Sequence, residues 1–492
     1  MLPLLLAPAL AADPAPPEKP KIEVDVSAEY SLWNLQQHNF LLGADHPLDD
    51  AAYTVQNIRV RAAVGRPTYG IVARLDAAQG WWGVDNAPAN GYALTTDETG
   101  VASTTRVYND DGMFQGKDTF FGVHFDHAYG WARFGPVEAR AGRQYFSVGN
   151  RLVLDQNYDG VTVLLAPKAP VRAEAFWAKV SEGRSSATLP AVGLLSDLDD
   201  SSDADLFGAR VRYVSPKLDA ELFGLYYVDT IASDWAHIPQ GLGYNRPRFT
   251  PQATTLGAVG LAANGTIAAL SWKLEGDVLF GRDAVANADH AAGAVDVNDG
   301  SLFGWNALAD AKYTLPLPVV ADVGVLAGIG SGDDDPRSGA GNVNKIETMG
   351  LWSLTNVWED SVMPNLEGIS PQGLGSPVSR GYRELENTTA LQGRVGVNPL
   401  KPLRLEGSFT WLRATQPVHG FDATGAPTGT TARDLGWELD GNVLLTLRDG
   451  GVYGKALFGW FQPGNAAALL INGTTDHRDP AWELKTEVGV RF

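Results

Sequence analysis

Charged residues at alternate positions are the first feature of this chain with chemical potential. Arg59 and Arg61 are two residues apart, as are Arg210 and Arg212, and Arg74, Arg140 and Arg172 sit in stretches of the same kind. The acidic counterparts are Glu275 with Asp277, Glu438 with Asp440, and Asp310. Alternate positions of an extended strand project to one side, so each set would form part of a single polar face. Guanidinium forks match carboxylates and sugar hydroxyls in a way a lysine ammonium does not. Basic and acidic arcs facing each other across a channel would set up a transverse field that orders water and polar solutes in a constriction. The alternative is that such charges pair locally and only keep an interior wet.

Other chemistries are poorly represented. Asp197, Asp199, Asp203 and Asp205 lie in one acidic stretch, and Asp333 to Asp335 form another. Clustered carboxylates suit Ca2+, which takes many oxygen ligands. Neither stretch has the glycine and closing glutamate of an EF-hand loop, so solvated anionic loops are the competing reading. No G-x-S-x-G or H-E-x-x-H motif occurs. His124 and Asp126 are the nearest approach to a catalytic pair, and a hydrogen-bonded pair on a polar wall accounts for them. An enzyme is therefore not expected, nor a cofactor beyond Ca2+ at the loops. The chain has 492 residues and no Cys, which removes disulfides and thiolate metal sites. Its formal net charge of −19 argues against nucleic acid as a partner.

The elements that must position these charges are strands. Eighteen segments alternate apolar and polar residues: 21–34, 53–64, 68–80, 119–134, 137–149, 160–166, 171–180, 205–214, 218–230, 252–263, 266–281, 302–314, 319–330, 388–397, 403–413, 435–447, 452–461 and 481–492. In the last, Trp482, Leu484, Val488, Val490 and Phe492 share one face, and Glu483, Lys485, Glu487 and Arg491 the other. No run of about 18 apolar residues exists, so a transmembrane helix is not expected. Short Gly, Asn and Pro turns alternate with long polar connections, such as 82–118 and 331–387. This predicts an all-β transmembrane antiparallel barrel of about 18 strands in the bacterial outer membrane, with short periplasmic turns and long extracellular loops. Its last strand closes on its first, since an open sheet edge cannot face lipid. Aromatics at strand ends, among them Tyr30, Phe125, Tyr129, Trp131, Trp272, Trp411 and Trp460, are expected on the outward face as interfacial girdles.

Residues 1–11 read as a secretory signal peptide and 12–20 as a Pro-rich spacer, leaving 21–492 as the barrel domain. A terminal Phe492 suits recognition by the barrel assembly machinery. Outer-membrane lipid and lipopolysaccharide are the expected surroundings.

The stretch Ala141 to Val161 resembles alginate-export-type outer-membrane proteins, a porin-like family. Gly142-Arg143-Gln144, Gly149-Asn150-Arg151 and Asp159-Gly160-Val161 hold the places of its G-R-Q strand, its G-[DN]-R-type turn and its D-G-V strand. The resemblance implies a monomeric barrel that carries a polymer or a small saccharide. From the residues themselves the expected function is a channel for diffusion or export of saccharides or other polar solutes along the charged lumen. A surface adhesin or binding barrel is the alternative, and residues 331–387 discriminate: folded inward they narrow a pore, projecting outward they form a recognition surface.

Overall fold

A computed structural model describes residues 21–43, 50–79, 92–96, 102–106, 122–182, 203–229, 255–282, 301–332, 340–348, 353–362, 385–421 and 427–492. The segments assigned to signal peptide and spacer lie outside them. Eighteen wall strands follow in order: β1 Glu23–His38, β2 Ala51–Arg66, β3 Tyr69–Gln79, β4 Gly122–Phe134, β5 Val137–Ser147 and β6 Leu154–Leu165. Then come β7 Val171–Glu182, β8 Asp203–Val214, β9 Leu218–Asp229, β10 Thr255–Ile267, β11 Leu270–Arg282 and β12 Ser301–Thr314. The wall ends with β13 Val320–Gly330, β14 Thr388–Leu400, β15 Leu403–Phe421, β16 Pro427–Leu447, β17 Val452–Pro463 and β18 Ala481–Arg491. One helix, α1 (Asn465–Asn472), lies between the last two strands.

Each strand pairs antiparallel with its sequence neighbours, and β1 pairs with β18 from Glu29↔Arg491 to His38↔Trp482. The sheet is therefore a closed barrel, as the alternation of turns predicts. Beyond β18, the Phe492 amide donates to the Ala28 carbonyl at 2.9 Å, extending the seam by one residue. On the lumen side the Tyr453 hydroxyl donates to Glu29 Oε1 at 2.6 Å and reaches Glu487 Oε1 at 2.5 Å, joining β17, β1 and β18. Two strands start earlier than the alternation indicates, β6 at Leu154 and β16 at Pro427. Their extra residues pair with β5 and β15 above the apolar belt, where the outward face, such as Asn157 and Asp159 on β6, is polar and no lipid-facing alternation marks them.

The exterior is apolar. Val26, Ile58, Ile71, Val163, Val211, Leu261, Val278, Val325, Val395, Leu439 and Val488 are exposed on the outward face. In water such a belt would be unfavourable by about 25 cal/mol per Å2, and its position around a closed barrel makes it a lipid-facing surface. A girdle sits at its loop-side rim, where the Trp437 ring lies 5.0 Å from Trp460 and 5.8 Å from Phe409.

Tyr129 and Trp131 depart from the expected girdle. A β-bulge shifts the register of β4 against β3 between Arg74 and Leu75. One inserted residue reverses the facing of everything after it. Phe125 remains outward, whereas Tyr129 lies under the Arg140 guanidinium and Trp131 under that of Arg133, both on the lumen face.

The lumen is also less uniformly polar than alternation alone predicts. Near the short turns the inward residues are charged. Towards the loops the same parity becomes apolar, with Phe176, Leu206, Phe223, Leu225, Leu256, Leu279 and Leu302 forming one buried cluster. Inward-folded loop segments supply the layer that these side chains meet.

Candidate functional site: the barrel lumen

The basic residues occupy the wall from β2 to β8 and face inward, each drawn to a carboxylate on its own or an adjoining strand. Arg59 holds Asp76 with two parallel bonds, Nε to Oδ1 at 3.0 Å and Nη2 to Oδ2 at 2.7 Å. Arg61 Nη1 donates to Asp25 Oδ2 at 2.8 Å, and Arg74 Nη2 lies 2.5 Å from Asp126 Oδ2. Arg140 and Arg133 share Glu138. Arg210 donates to Glu174 at 2.8 Å and to the Ser147 carbonyl, and Arg212 to Asp219. Asp76 is thus not the sole counter-charge for the first three arginines. Asp25 and Asp126 come from the neighbouring strands, which the linear sequence leaves far apart. Half-exposed pairs of this kind stabilise by about 1 kcal/mol or less, so their main effect is to hold the guanidinium forks against the wall. Arg172 is the exception: among the described residues it pairs with no carboxylate, and its Nε is buried without an acceptor.

The acidic residues serve a different purpose. Gly149 N–H donates to Glu221 Oε1 at 3.0 Å, and Asn150 N–H to Glu275 Oε2. The connection between β5 and β6 therefore folds inward and rests on the wall of β9 and β11. Gly149 has φ +53°, the left-handed region that glycine enters without strain, and a Cβ there would push the Glu275 carboxyl off its seat. Val357 and Trp358 N–H donate to the two oxygens of Glu438 at 2.7 and 2.8 Å. Glu438 is 0% exposed. Asn356 N–H reaches Asp440 Oδ1 at 3.3 Å, and its side chain donates to Asn442 Oδ1 at 2.9 Å. Gln392 Nε2 donates to the Leu354 carbonyl at 2.6 Å, and the Trp358 ring stacks 5.1 Å from Phe461. Gly459 leaves room for this segment, since a Cβ there would sit 2.5 Å from Val357 Cγ2. Residues 353–362 are thus seated inside the barrel against β14, β16 and β17.

A third segment crosses the lumen. Ala340–Gly341 pairs in parallel with Ser301–Leu302 on β12, and Glu347–Thr348 with Leu154–Asp155 on β6. Asn344 fixes its middle, donating to Asn306 Oδ1 and Ser331 Oγ, both at 3.1 Å. A strap from β6 to β12 divides the upper lumen. Val343 joins the apolar cluster on one side. On the β12–β18 side, α1, residues 39–42 and 354–362 form a second buried cluster.

Below residues 353–356, a cavity of about 580 Å3 opens towards the short turns. Asn356, Gln392, Ser408 and Asn442 supply amides and hydroxyls to it, and Lys273, Lys312 and Arg394 supply cations. Arg394 pairs with Asp310 on the same wall. Asp440 borders the cavity as well. Asp219, Asp310, Asp322 and Glu406 line it too, and among the described residues Lys217, Lys273 and Lys312 pair with no carboxylate within 4 Å, so three ammonium groups border it unpaired.

Lumen aromatics were not apparent from alternation alone. Trp33 lies under the Lys455 ammonium at 5.6 Å. Trp33 does fall on the inward parity of its strand, and that was the available signal. Asn306, Asn344 and Gln392 carry no sequence signature, because their roles depend on loops returning to the wall.

The candidate Ca2+ stretch is only partly described. Asp197, Asp199 and the run Asp333 to Asp335 lie outside the described residues. Asp203 opens β8, and Asp205 accepts from Trp177 Nε1 at 2.8 Å and lies 3.5 Å from Lys179 Nζ. Asp205 is committed to these strand neighbours. The side chain of His124 also lies outside the described residues.

No protein-family model matches the chain, and no curated protein matches it. Solved structures do. OccK8 (OprE) of Pseudomonas aeruginosa is similar at 12% identity and a TM-score of 0.49, over 96% of this chain and 98% of that one. A BenF-like porin from Pseudomonas fluorescens Pf-5 is similar at 11% identity and 0.48, again over 96% and 98%. Pseudomonas aeruginosa OccK2 (OpdF), solved in complex with glucuronate, is similar at 11% and 0.48, over 96% and 98%. The chain itself is a closed antiparallel barrel with a lipid-facing belt, as an outer-membrane protein requires.

Proposed function

We propose that this protein is an outer-membrane channel through which small polar solutes, anionic or polyhydroxylated, pass along the charged lumen. The observation that carries this reading is the inward seating of residues 340–348 and 353–362. These segments of the long 331–387 connection narrow a pore instead of building an outward recognition surface. That favours a channel over an adhesin. The lumen below them is lined by amides, hydroxyls, five carboxylates and, among the described residues, three lysine ammonium groups without carboxylate partners, a mixed lining that suits polyhydroxylated ligands and leaves cations for a carboxylate. The chain works as a channel and not as an enzyme.

Alginate export is the finer form of this reading, resting on residues 141–161. A polymer needs an uninterrupted path, and the strap between β6 and β12 interrupts one, so small saccharides fit better. The channel works as a monomer in outer-membrane lipid and lipopolysaccharide, and reaches it through the assembly machinery by way of Phe492. Residues 1–11 serve as the leader and 12–20 as the periplasmic spacer. Single-channel recording with candidate saccharides tests the reading. Transient, concentration-dependent block of the current is expected. A steady current at every saccharide concentration would refute it.

A further inference from the structure

The cavity below residues 353–356 uses its two kinds of cation differently. Arginines take the carboxylates. Arg212 Nε donates to Asp219 Oδ1 at 2.6 Å, Arg404 Nη1 lies 2.9 Å from Asp322 Oδ2, and Arg404 Nε donates to Glu406 Oε1 at 2.7 Å. Arg394 takes Asp310, although Asp310 stands directly opposite Lys273 in the β11–β12 register. Gly324 lies between Arg394 on β14 and Lys312 on β12 and opens the path for that guanidinium, since a Cβ there would sit 3.1 Å from Arg394 Nε. The fifth carboxylate, Asp440, accepts from Ser408 Oγ at 3.0 Å and from Asn356 N–H at 3.3 Å.

Lys217, Lys273 and Lys312 are left over. All three border the cavity with exposed side chains. Ser271 faces Lys312, so Lys273 and Lys312 are diagonal neighbours on one face of β11 and β12. Such positions lie about 7–8 Å apart, within reach of one group for side chains this long. Lys217 enters from the turn before β9, where its carbonyl accepts from Thr266, the residue opposite Ser271. Like charges gathered on one wall repel unless an anion offsets them. Towards β16 the lining changes to neutral donors and acceptors. Asn356 Oδ1 and Asn442 Nδ2 face the cavity with no partner among the described residues.

We propose that this cavity selects phosphorylated saccharides, with the phosphate seated among Lys217, Lys273 and Lys312 and sugar hydroxyls on Asn356 and Asn442. The proposal rests on the channel reading above and narrows its solute. Charge favours phosphate over carboxylate. A phosphate monoester carries about −1.5 to −2 charges at pH 7 and three acceptor oxygens, whereas a carboxylate has a single charge and two oxygens. The guanidinium forks that would grip a carboxylate with two parallel bonds are already engaged, and ammonium groups bind phosphate as point charges.

The test is block of single-channel current in planar bilayers by glucose 6-phosphate, glucose, glucuronate and inorganic phosphate. An ionic strength of about 0.1 M keeps exposed charges effective over about 10 Å. Glucose 6-phosphate should block the wild-type channel at a concentration about tenfold lower than any of the other three, the gain from one further charge-assisted contact. The variant Lys217→Gln/Lys273→Gln/Lys312→Gln should erase that preference, with heat-modifiability reporting that its barrel is folded. Equal block by glucuronate, equal block by inorganic phosphate, or a preference that survives the triple variant each overturns the proposal and leaves a saccharide channel standing. If none of the three saccharides blocks the wild type, the channel reading falls and the proposal falls with it.

Discussion

Glu438 gives the sharpest test of how the constriction is built. Its two oxygens accept the N–H groups of Val357 and Trp358 at 2.7 and 2.8 Å, and all three groups are buried. Glu438→Ala leaves both amides without that acceptor. An unsatisfied buried donor costs about 1–3 kcal/mol, so docking of residues 353–362 weakens by about 2–6 kcal/mol. At about 1.4 kcal/mol per factor of ten, even the lower bound shifts the docked population roughly 30-fold. The contacts of Asn356 with Asn442, of Gln392 with Leu354 and of Trp358 with Phe461 are untouched. The segment should therefore leave its seat intermittently. In planar bilayers the variant should show excursions to a larger conductance that the wild type lacks. Glu438→Gln keeps one acceptor oxygen and should fall between the two. If the folded Glu438→Ala barrel gives the wild-type conductance and noise, residues 353–362 do not border the conduction path and the clamp is not a determinant of the pore.

Three further outcomes are expected. Replacing Arg59, Arg61 and Arg74 with Ser removes three cations and leaves Asp25, Asp76 and Asp126 without their partners. The reversal potential in a salt gradient should move towards cation selectivity, and saccharide block should weaken; an unchanged potential would show that this arc is outside the path. Tyr453→Phe removes the hydroxyl shared by Glu29 and Glu487 across the closing seam. At about 1.5–3 kcal/mol for hydrogen bonds to charged groups, the heat-modifiability midpoint should fall, and an unaltered midpoint would mean the backbone ladder alone sets closure. Deleting Phe492, whose side chain is 81% exposed, also removes its backbone bonds to Ala28. Assembled barrel in the outer membrane should decrease, and undiminished levels would count against a role for the terminal aromatic.

The wall of this protein was legible in its sequence because a membrane barrel imposes a strict rule. One face meets lipid and the other does not, so alternation writes strand number, turn side and facing into the chain. All eighteen segments are strands, and Glu29↔Arg491 to His38↔Trp482 close them. The rule weakens wherever lipid stops deciding. The β4 bulge reversed Tyr129 and Trp131, because a single inserted residue carries no compositional mark. The early starts of β6 and β16 were hidden for a related reason, since strands outside the bilayer have no lipid face.

The interior belongs to tertiary structure. Sequence placed Arg59, Arg61, Arg74, Glu275, Asp277, Glu438 and Asp440 on the inward face but could not choose their partners. Asp25 and Asp126 reach Arg61 and Arg74 only because β1 and β4 flank β2 and β3. Glu438 meets Val357 only because a connection 81 residues away in sequence returns into the lumen. Backbone amides are the same in every residue, so no side-chain pattern records which of them will meet a buried carboxyl.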